Sequence, residues 1–430
     1  MSFSDPEKKV LSLISEKELV ELAVEMGNIY SPAGHEKHMG EFVFNWLKSQ
    51  GFEATKQEVV TDRNNVVGSI RGRGGGASLL FNSHLDSDVG GPGEEWAFPN
   101  PDLPQNKKAW IEDDRIFGKA VLNDRGPMAA FMIGAKAIKG AGVRLRGDLF
   151  LTMVVGEIGM APIDEFQGPQ YLGKGLGSRH LVNHGVVADY ALVAETTDFG
   201  ITWAEAGVAY VKITIKGEAI YTPRSYRPET IGNHPNAIVK MAHVIQMLEG
   251  WAAQYEKENR YGFAGGEIVP KVVVGAIRGG IPFKPYMTSG ICSIYVDVRL
   301  PPGKSILQIK HQLGQLVRSL NMEADIQVYL YRPGYEGRNV SGMVKSVEDA
   351  YSKICKKKPE RIPTPVTSMW RDINIFNEVG IPAITFGPPR CSAEGLDRSQ
   401  GNFLRKQDLV NTAKIYALVA LDICGVETNS

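Results

Sequence analysis

The chain has 430 residues, 43% of them hydrophobic and 22% charged, and its formal net charge is zero. That length exceeds one ordinary core and predicts two domains; the balanced charge and the lack of a long basic run argue against a nucleic-acid or anionic-membrane partner. The polar start, residues 1–10, lacks the apolar stretch of a signal peptide, and no segment is apolar enough to span a bilayer, so a cytoplasmic, soluble protein is expected.

In chain order, apolar residues first recur at helical spacing in Leu19, Val20, Leu22, Ala23 and Met26, then in Phe42, Val43, Trp46 and Leu47. Ser31 to Gly34 breaks the pattern between them. The glycine-rich run 72–76 reads as a hairpin tip. Buried-strand patterns follow at 78–81, 148–155 and 190–194, with a helix over 128–138. Such alternation predicts an α/β sheet with helices on its faces, and in such sheets ligands sit just past the strands' carboxyl ends. From about Gly207 the texture changes. Strands at 208–216, 272–277 and 291–300 and helices at 236–248 and 306–320 predict a compact α+β domain. The α/β texture returns after Gly334, with a strand at 383–386 and a closing helix from Lys406. The four cysteines, Cys292, Cys355, Cys391 and Cys424, are too scattered for a disulfide framework or a cysteine zinc site.

Several polar residues follow those strands. His84 and Asp86, two apart, point the same way, so the histidine can ligate a metal while the aspartate holds its tautomer. Asn123 and Asp124 stand at the mouth of a helix, where they read equally as ligands or as N-caps. Glu157 and Glu195 each follow a buried strand, where a carboxylate must be solvated, paired or metal-bound. Arg371, Arg390 and Arg398 offer forks for a substrate carboxylate. Tyr221 is by default a strand or loop aromatic, and Trp370 a core residue.

These boxes, in this order, resemble the metallopeptidase superfamily of aminoacylase, glutamate carboxypeptidase, allantoate amidohydrolase and succinyl-diaminopimelate desuccinylase. They are His84-Leu85-Asp86, residues 118–126, Gly156-Glu157, Glu195-Thr196-Thr197, Asp297 to Gly303, and Asp372 to Pro388. The resemblance spans essentially the whole chain. It implies a zinc-aminopeptidase-like α/β catalytic domain (1–206 and 326–430) with a mixed sheet and helices on both faces. It also implies an inserted α+β lid and dimerisation domain (207–325), hence a homodimer or larger homo-oligomer.

The family's two-metal site, carried over by position, is depleted here. His84, Asp86 and Glu195 are kept. The bridging aspartate reads Asn123 and the general base reads Gly156, with Glu157 at the adjacent ligand position. The late histidine aligns with Arg398, and the lid histidine with Tyr221, near which His234 follows in a longer loop. A neutral amide and a fixed cation in place of ligands imply one weakly held divalent ion per subunit, manganese or zinc. Its expected ligands are His84, Glu195 and Asn123 or Asp124. Glu157 becomes the base, Tyr221 a donor to developing charge, and Arg371, Arg398 and His234 the contacts of a small carboxylated substrate. The expected reaction is hydrolysis of a C–N bond. The favoured version is replacement of the amine of an activated aromatic such as 5-nitroanthranilate by hydroxyl, as in the superfamily's aminohydrolase branch. The alternatives are cleavage of an N-acyl amino acid, dipeptide or ureide, and a catalytically dead binder of small acids.

Overall fold

The computed structural model describes residues 2–91, 104–392 and 402–427. Its N-terminal helices start at side-chain caps. Ser4 and Glu7 close a capping box on α1 (Asp5–Ser12), and Ser15 accepts from Glu18 N at the head of α2 (Glu16–Gly27). There follow α3 (Lys37–Ser49), β1 (Glu53–Val60), β2 (Arg63–Ile70), β3 (Leu79–His84), α4 (Gly126–Gly140), β4 (Leu149–Val154), α5 (Leu176–Asn183) and β5 (Tyr190–Ala194). Next come β6 (Gly207–Lys216), α6 (Ala237–Glu258), β7 (Val272–Gly279), β8 (Ile291–Leu300), α7 (Ile306–Ser319) and β9 (Ala324–Arg332). The chain closes with α8 (Ser341–Cys355), α9 (Ile373–Glu378), β10 (Ala383–Phe386) and α10 (Lys406–Cys424).

The chain divides into two compact units. One comprises 1–203, 336–363 and 371–430, and the other 204–335 and 364–370. The first is built on a six-stranded mixed sheet in the order β1-β2-β4-β3-β5-β10. β3 is parallel to both β4 and β5, and β10 is parallel to β5, so four carboxyl ends open on one rim. Strand alternation sends successive β3 residues to opposite faces. Leu79 and Phe81 join the core of α4 and α10, where Phe81 packs on Phe131 and Tyr416 with ring centroids 5.7 and 5.3 Å apart. Leu80 faces the other way, into a cluster with Leu181 of α5 and Phe376 of α9. Helices on both faces therefore bury both sides of the central strands, as an apolar run such as Leu79-Leu80-Phe81 requires.

The glycine-rich run 72–76 does not tip a hairpin, contrary to the sequence reading. β4 is hydrogen-bonded between β2 and β3, and the hairpin lies one strand earlier, where Val60 pairs with Arg63. Gly72 and Gly76 serve close backbone approach: a Cβ would lie 2.4 Å from the carbonyl oxygen of Arg146 at the first and 2.1 Å from that of Cys424 at the second.

The second unit is a four-stranded antiparallel sheet, β7-β8-β6-β9, with α6 and α7 packed on it. Val211, Ile213, Ile294, Val296, Met241, Val244 and Leu313 form its separate core. α6 runs to Glu258, ten residues beyond the predicted end. Among the described residues no helix is long and apolar enough to cross a membrane.

Candidate metal centre

His84 ends β3, Glu195 directly follows β5, and Glu157 lies three residues past β4, so the strand ends deliver all three to one rim. His84 is held from both sides. Its Nδ1 lies 2.9 Å from the backbone oxygen of Asp86 and 3.4 Å from Asp86 Oδ1; its Nε2 lies 3.1 Å from Asn123 Oδ1 and 3.7 Å from Glu195 Oε1. Asp86 in turn accepts from Glu157 N (3.2 Å) and Ile158 N (2.7 Å), which ties the β3 rim to the β4 rim. The His84 imidazole first, then the bond from Ile158 N and the charge of Arg63, outweigh burial and hold Asp86 down at about 2. Burial alone would depress His84. The Asp86 contact, with the charges of Asp124 and Glu157, instead raises it well above the ordinary imidazole value.

Asn123 and Asp124 do not cap the helix. The residue before α4 is Arg125, with no side-chain cap, and both Asn123 and Asp124 have non-helical backbone angles. Asp124 turns inward instead. Ser83 Oγ donates to its Oδ2 at 2.7 Å, while its buried Oδ1 has no hydrogen-bond partner. Burial first, and the charge of Glu195 second, push its carboxyl well above the carboxylate range. Below it the fully buried Arg125 donates to the carbonyls of His84 (2.7 Å) and Leu85 (2.5 Å), fixing the strand end.

One nitrogen of His84 and one oxygen each from Asp124 and Glu195 lie within 4.8 Å of one another, all three residues buried. Two buried carboxylates beside an imidazole, one with an orphaned oxygen, are a set that a divalent cation satisfies and that costs free energy without a proton or a cation. The residues therefore fit a divalent metal, and the aspartate of the trio is Asp124, with the amide of Asn123 at its edge. Arg371, buried before α9, places Nε 3.1 Å from the other oxygen of Glu195. Arg390 reaches Thr196 Oγ1 at 3.4 Å from the loop after β10. Arg398 lies outside the described residues. Tyr221 and His234 belong to the second unit. There Tyr221 is exposed, edge-on to Tyr286, and His234 Nδ1 accepts from Asn236 N at 3.1 Å.

Sequence reasoning missed a buried cluster next to Glu157. Arg63 and Glu36 form a two-pronged pair (Nε to Oε2, 2.8 Å; Nη2 to Oε1, 2.7 Å), and Glu36 Oε1 also accepts from Gly156 N at 3.2 Å. Arg63 Nη1 donates to the carbonyls of Pro169 and Leu172, each at 2.6 Å. A Cβ on Gly156, whose φ is +67°, would sit 2.8 Å from Arg63 Nη2. The place where the resembling family carries its base is thus closed by a guanidinium. Lys174, also buried, holds its Nζ 3.8 Å from Glu157 Oε1.

A parallel strand rim carrying an imidazole and two carboxylates at metal-binding spacing defines a metal-dependent hydrolase of the amidohydrolase and peptidase class. The model of Peptidase family M20/M25/M40 matches residues 80–422, and the chain belongs to that family. The N-formyl-4-amino-5-aminomethyl-2-methylpyrimidine deformylase of Bacillus subtilis (strain 168) is 26% identical over 402 residues, covering 86% of this chain and 87% of that protein. Among solved structures, aminopeptidase PepT from Bacillus cereus superposes with a TM-score of 0.66 at 16% identity, over 96% of this chain and all of that one. The Bacillus subtilis YXEP protein, a dinuclear metal-binding peptidase of the same family, gives 0.60 at 14% identity, over 95% of this chain and 98% of that one.

Proposed function

We propose that this chain hydrolyses the C–N bond of a small acylated amine, a formamide or N-acyl amino acid, using one divalent cation held by His84, Asp124 and Glu195. The observation that carries the reading is the donor trio sharing a rim with the buried carboxylate Glu157. The deformylase relative, similar along nearly its whole length, favours an acyl group on nitrogen as the bond's carbon side. Nitrogen with two carboxylates accepts manganese or zinc alike, and Arg371 competes for the charge of Glu195, which favours weak retention.

A cation bound there supplies Lewis-acid polarisation and makes water more acidic. Glu157 takes the proton of the attacking water and returns it to the departing nitrogen. Asp86 fixes the His84 ring, and Arg371 fixes Glu195. The substrate's own carboxylate is assigned to the arginines Arg371 and Arg398.

A second reading, deamination of an activated aromatic amine such as 5-nitroanthranilate, draws on one observation. The usual base position is closed by Arg63, which suits a substrate already primed for attack. One experiment separates the readings: manganese- or zinc-loaded protein is incubated with a formamide, an N-acyl amino acid, a dipeptide, a ureido acid and 5-nitroanthranilate, and products are read by mass spectrometry. Release of a free amine from the acyl compounds is the expected result. Ammonia with a hydroxy acid from the aromatic alone would replace it by the second reading, and silence across the panel would sink both.

A further inference from the structure

We propose that Lys174 is a positioning residue of this centre, acting through Glu157; the assignment rests on Glu157 being the base. The two side chains are each about 7% exposed and face each other at 3.8 Å, a charge pair taken out of water. Burial raises the Glu157 carboxyl, and the ammonium of Lys174 is the largest influence holding it toward its ionised form. The charges of His84, Glu195 and Asp86 reach Glu157 too, and so does that of Asp372. The carboxylates of Glu195, Asp86 and Asp372 all disfavour a further negative charge there, and the Lys174 ammonium facing Glu157 at 3.8 Å offsets them.

The chain goes to some length to put this cation in place. Between Glu157 and α5 it makes a closed excursion, residues 158–174. The ends meet: Lys174 N donates to Ile158 O at 3.2 Å, and Gly175 N to Gly156 O at 2.9 Å. Inside the excursion, Arg63 grips the carbonyls of Pro169 and Leu172 while its partner Glu36 holds Gly156 N. The same buried ion pair therefore fixes the peptide before Glu157 and the loop that returns Lys174 to it. Lys174 itself has φ +51°, in the left-handed region that non-glycine residues visit seldom. A solvated surface lysine would need no such bracing of its loop. A lysine serving only to neutralise charge would not need its position set from two sides.

The test uses the full chain with manganese: wild type, Lys174→Met, Lys174→Arg, Glu157→Gln and the Lys174→Met/Glu157→Gln double variant. On whichever panel substrate the wild type turns over, Lys174→Met is expected to lose about tenfold or more in kcat with little change in KM, as a misplaced base does. Lys174→Arg restores most of it. In the Glu157→Gln background, Lys174→Met costs nothing further, because the two act as a unit. A rise in KM with kcat intact would make Lys174 a substrate contact, and an additive loss would make it independent of Glu157; either overturns the proposal. A parallel measurement needs no substrate. In urea unfolding of metal-free protein, Lys174→Met strands a buried carboxylate, so the double variant is expected to be more stable than Lys174→Met alone. If no panel compound reacts, the hydrolase reading fails, and the unfolding series still decides the pairing. Equal or lower stability of the double variant refutes it. Should Lys174→Met not fold, Lys174→Arg and the double variant carry the comparison.

Discussion

Asp124 is where the proton and the metal compete. Its carboxyl is raised well above the usual range by burial and by Glu195, and its Oδ1 has no partner. To ligate a cation it must give up a proton, so binding releases that proton and tightens as pH rises. Calorimetric titration of the protein with Mn²⁺ across the mildly acidic to mildly alkaline range should show affinity climbing with pH. Asp124→Asn should weaken binding and remove its share of the dependence, leaving the share of the His84 imidazole, which must also give up a proton. A pH dependence unchanged by Asp124→Asn would mean Asp124 is not a ligand, and Asn123 would take its place in the trio. The sequence left these two neighbours open because each is a plausible donor at a helix mouth. Only the backbone angles at 123 and 124, set by the turn into α4, separate the one that faces Ser83 and the trio from the one beside His84 Nε2.

At the scale of elements, the strand ends were readable and the braces were not. His84, Glu157 and Glu195 each follow an apolar run, and burial of a strand on both faces leaves few places for a charged residue except its end. Arg63, Glu36 and Lys174 carried no such signal. Their contacts join residues 17 to 120 positions apart, and a charged residue at a turn or an element's end reads as solvated until the partner is seen. Asp372 shows the same limit. The sequence placed it in one of the boxes of the family resemblance but could not show that it ties three elements together, with Oδ2 accepting from Asn82 of β3 (3.1 Å) and Ser178 of α5 (2.7 Å) at the start of α9. Burial, then the charge of Glu157, push its carboxyl up to about 7. The folded chain therefore keeps a proton that the unfolded chain has lost between its ordinary pKa and about 7. The stability this carries is complete below the ordinary carboxyl pKa and drains away as pH rises through about 7. Asp372→Asn removes that loss. Measured by urea unfolding of metal-free protein, the variant should gain on wild type between about pH 4 and about pH 8, by at most roughly 4 kcal/mol. A difference that stays constant with pH would show that Asp372 titrates normally.

For the molecule as a whole, two cores imply two separable sources of stability, and the strands of the second unit also raise the question of its partner. β7 is an edge strand of the four-stranded sheet, and from Ala276 onward it is exposed. Val273 and Ile277 on it are 56% and 54% exposed, with Ile291 at 55% on the neighbouring β8. A largely apolar sheet edge, on which Arg278 is the one charged residue, is a template for pairing unless something covers it. We take a second copy as the occupant, because two antiparallel edges of one sequence meet with self-complementary register about a two-fold axis. Sedimentation of the full chain should then give a dimer, and Val273→Lys with Ile277→Lys should give a folded monomer, since charges on a strand edge block pairing without touching the core. The double lysine variant should leave the affinity of the first unit for manganese unchanged, because His84, Asp124 and Glu195 all belong to that unit. Loss of metal binding together with dimerisation would mean that the centre needs the assembled molecule, and the second unit would then be part of the machinery and not only of the assembly.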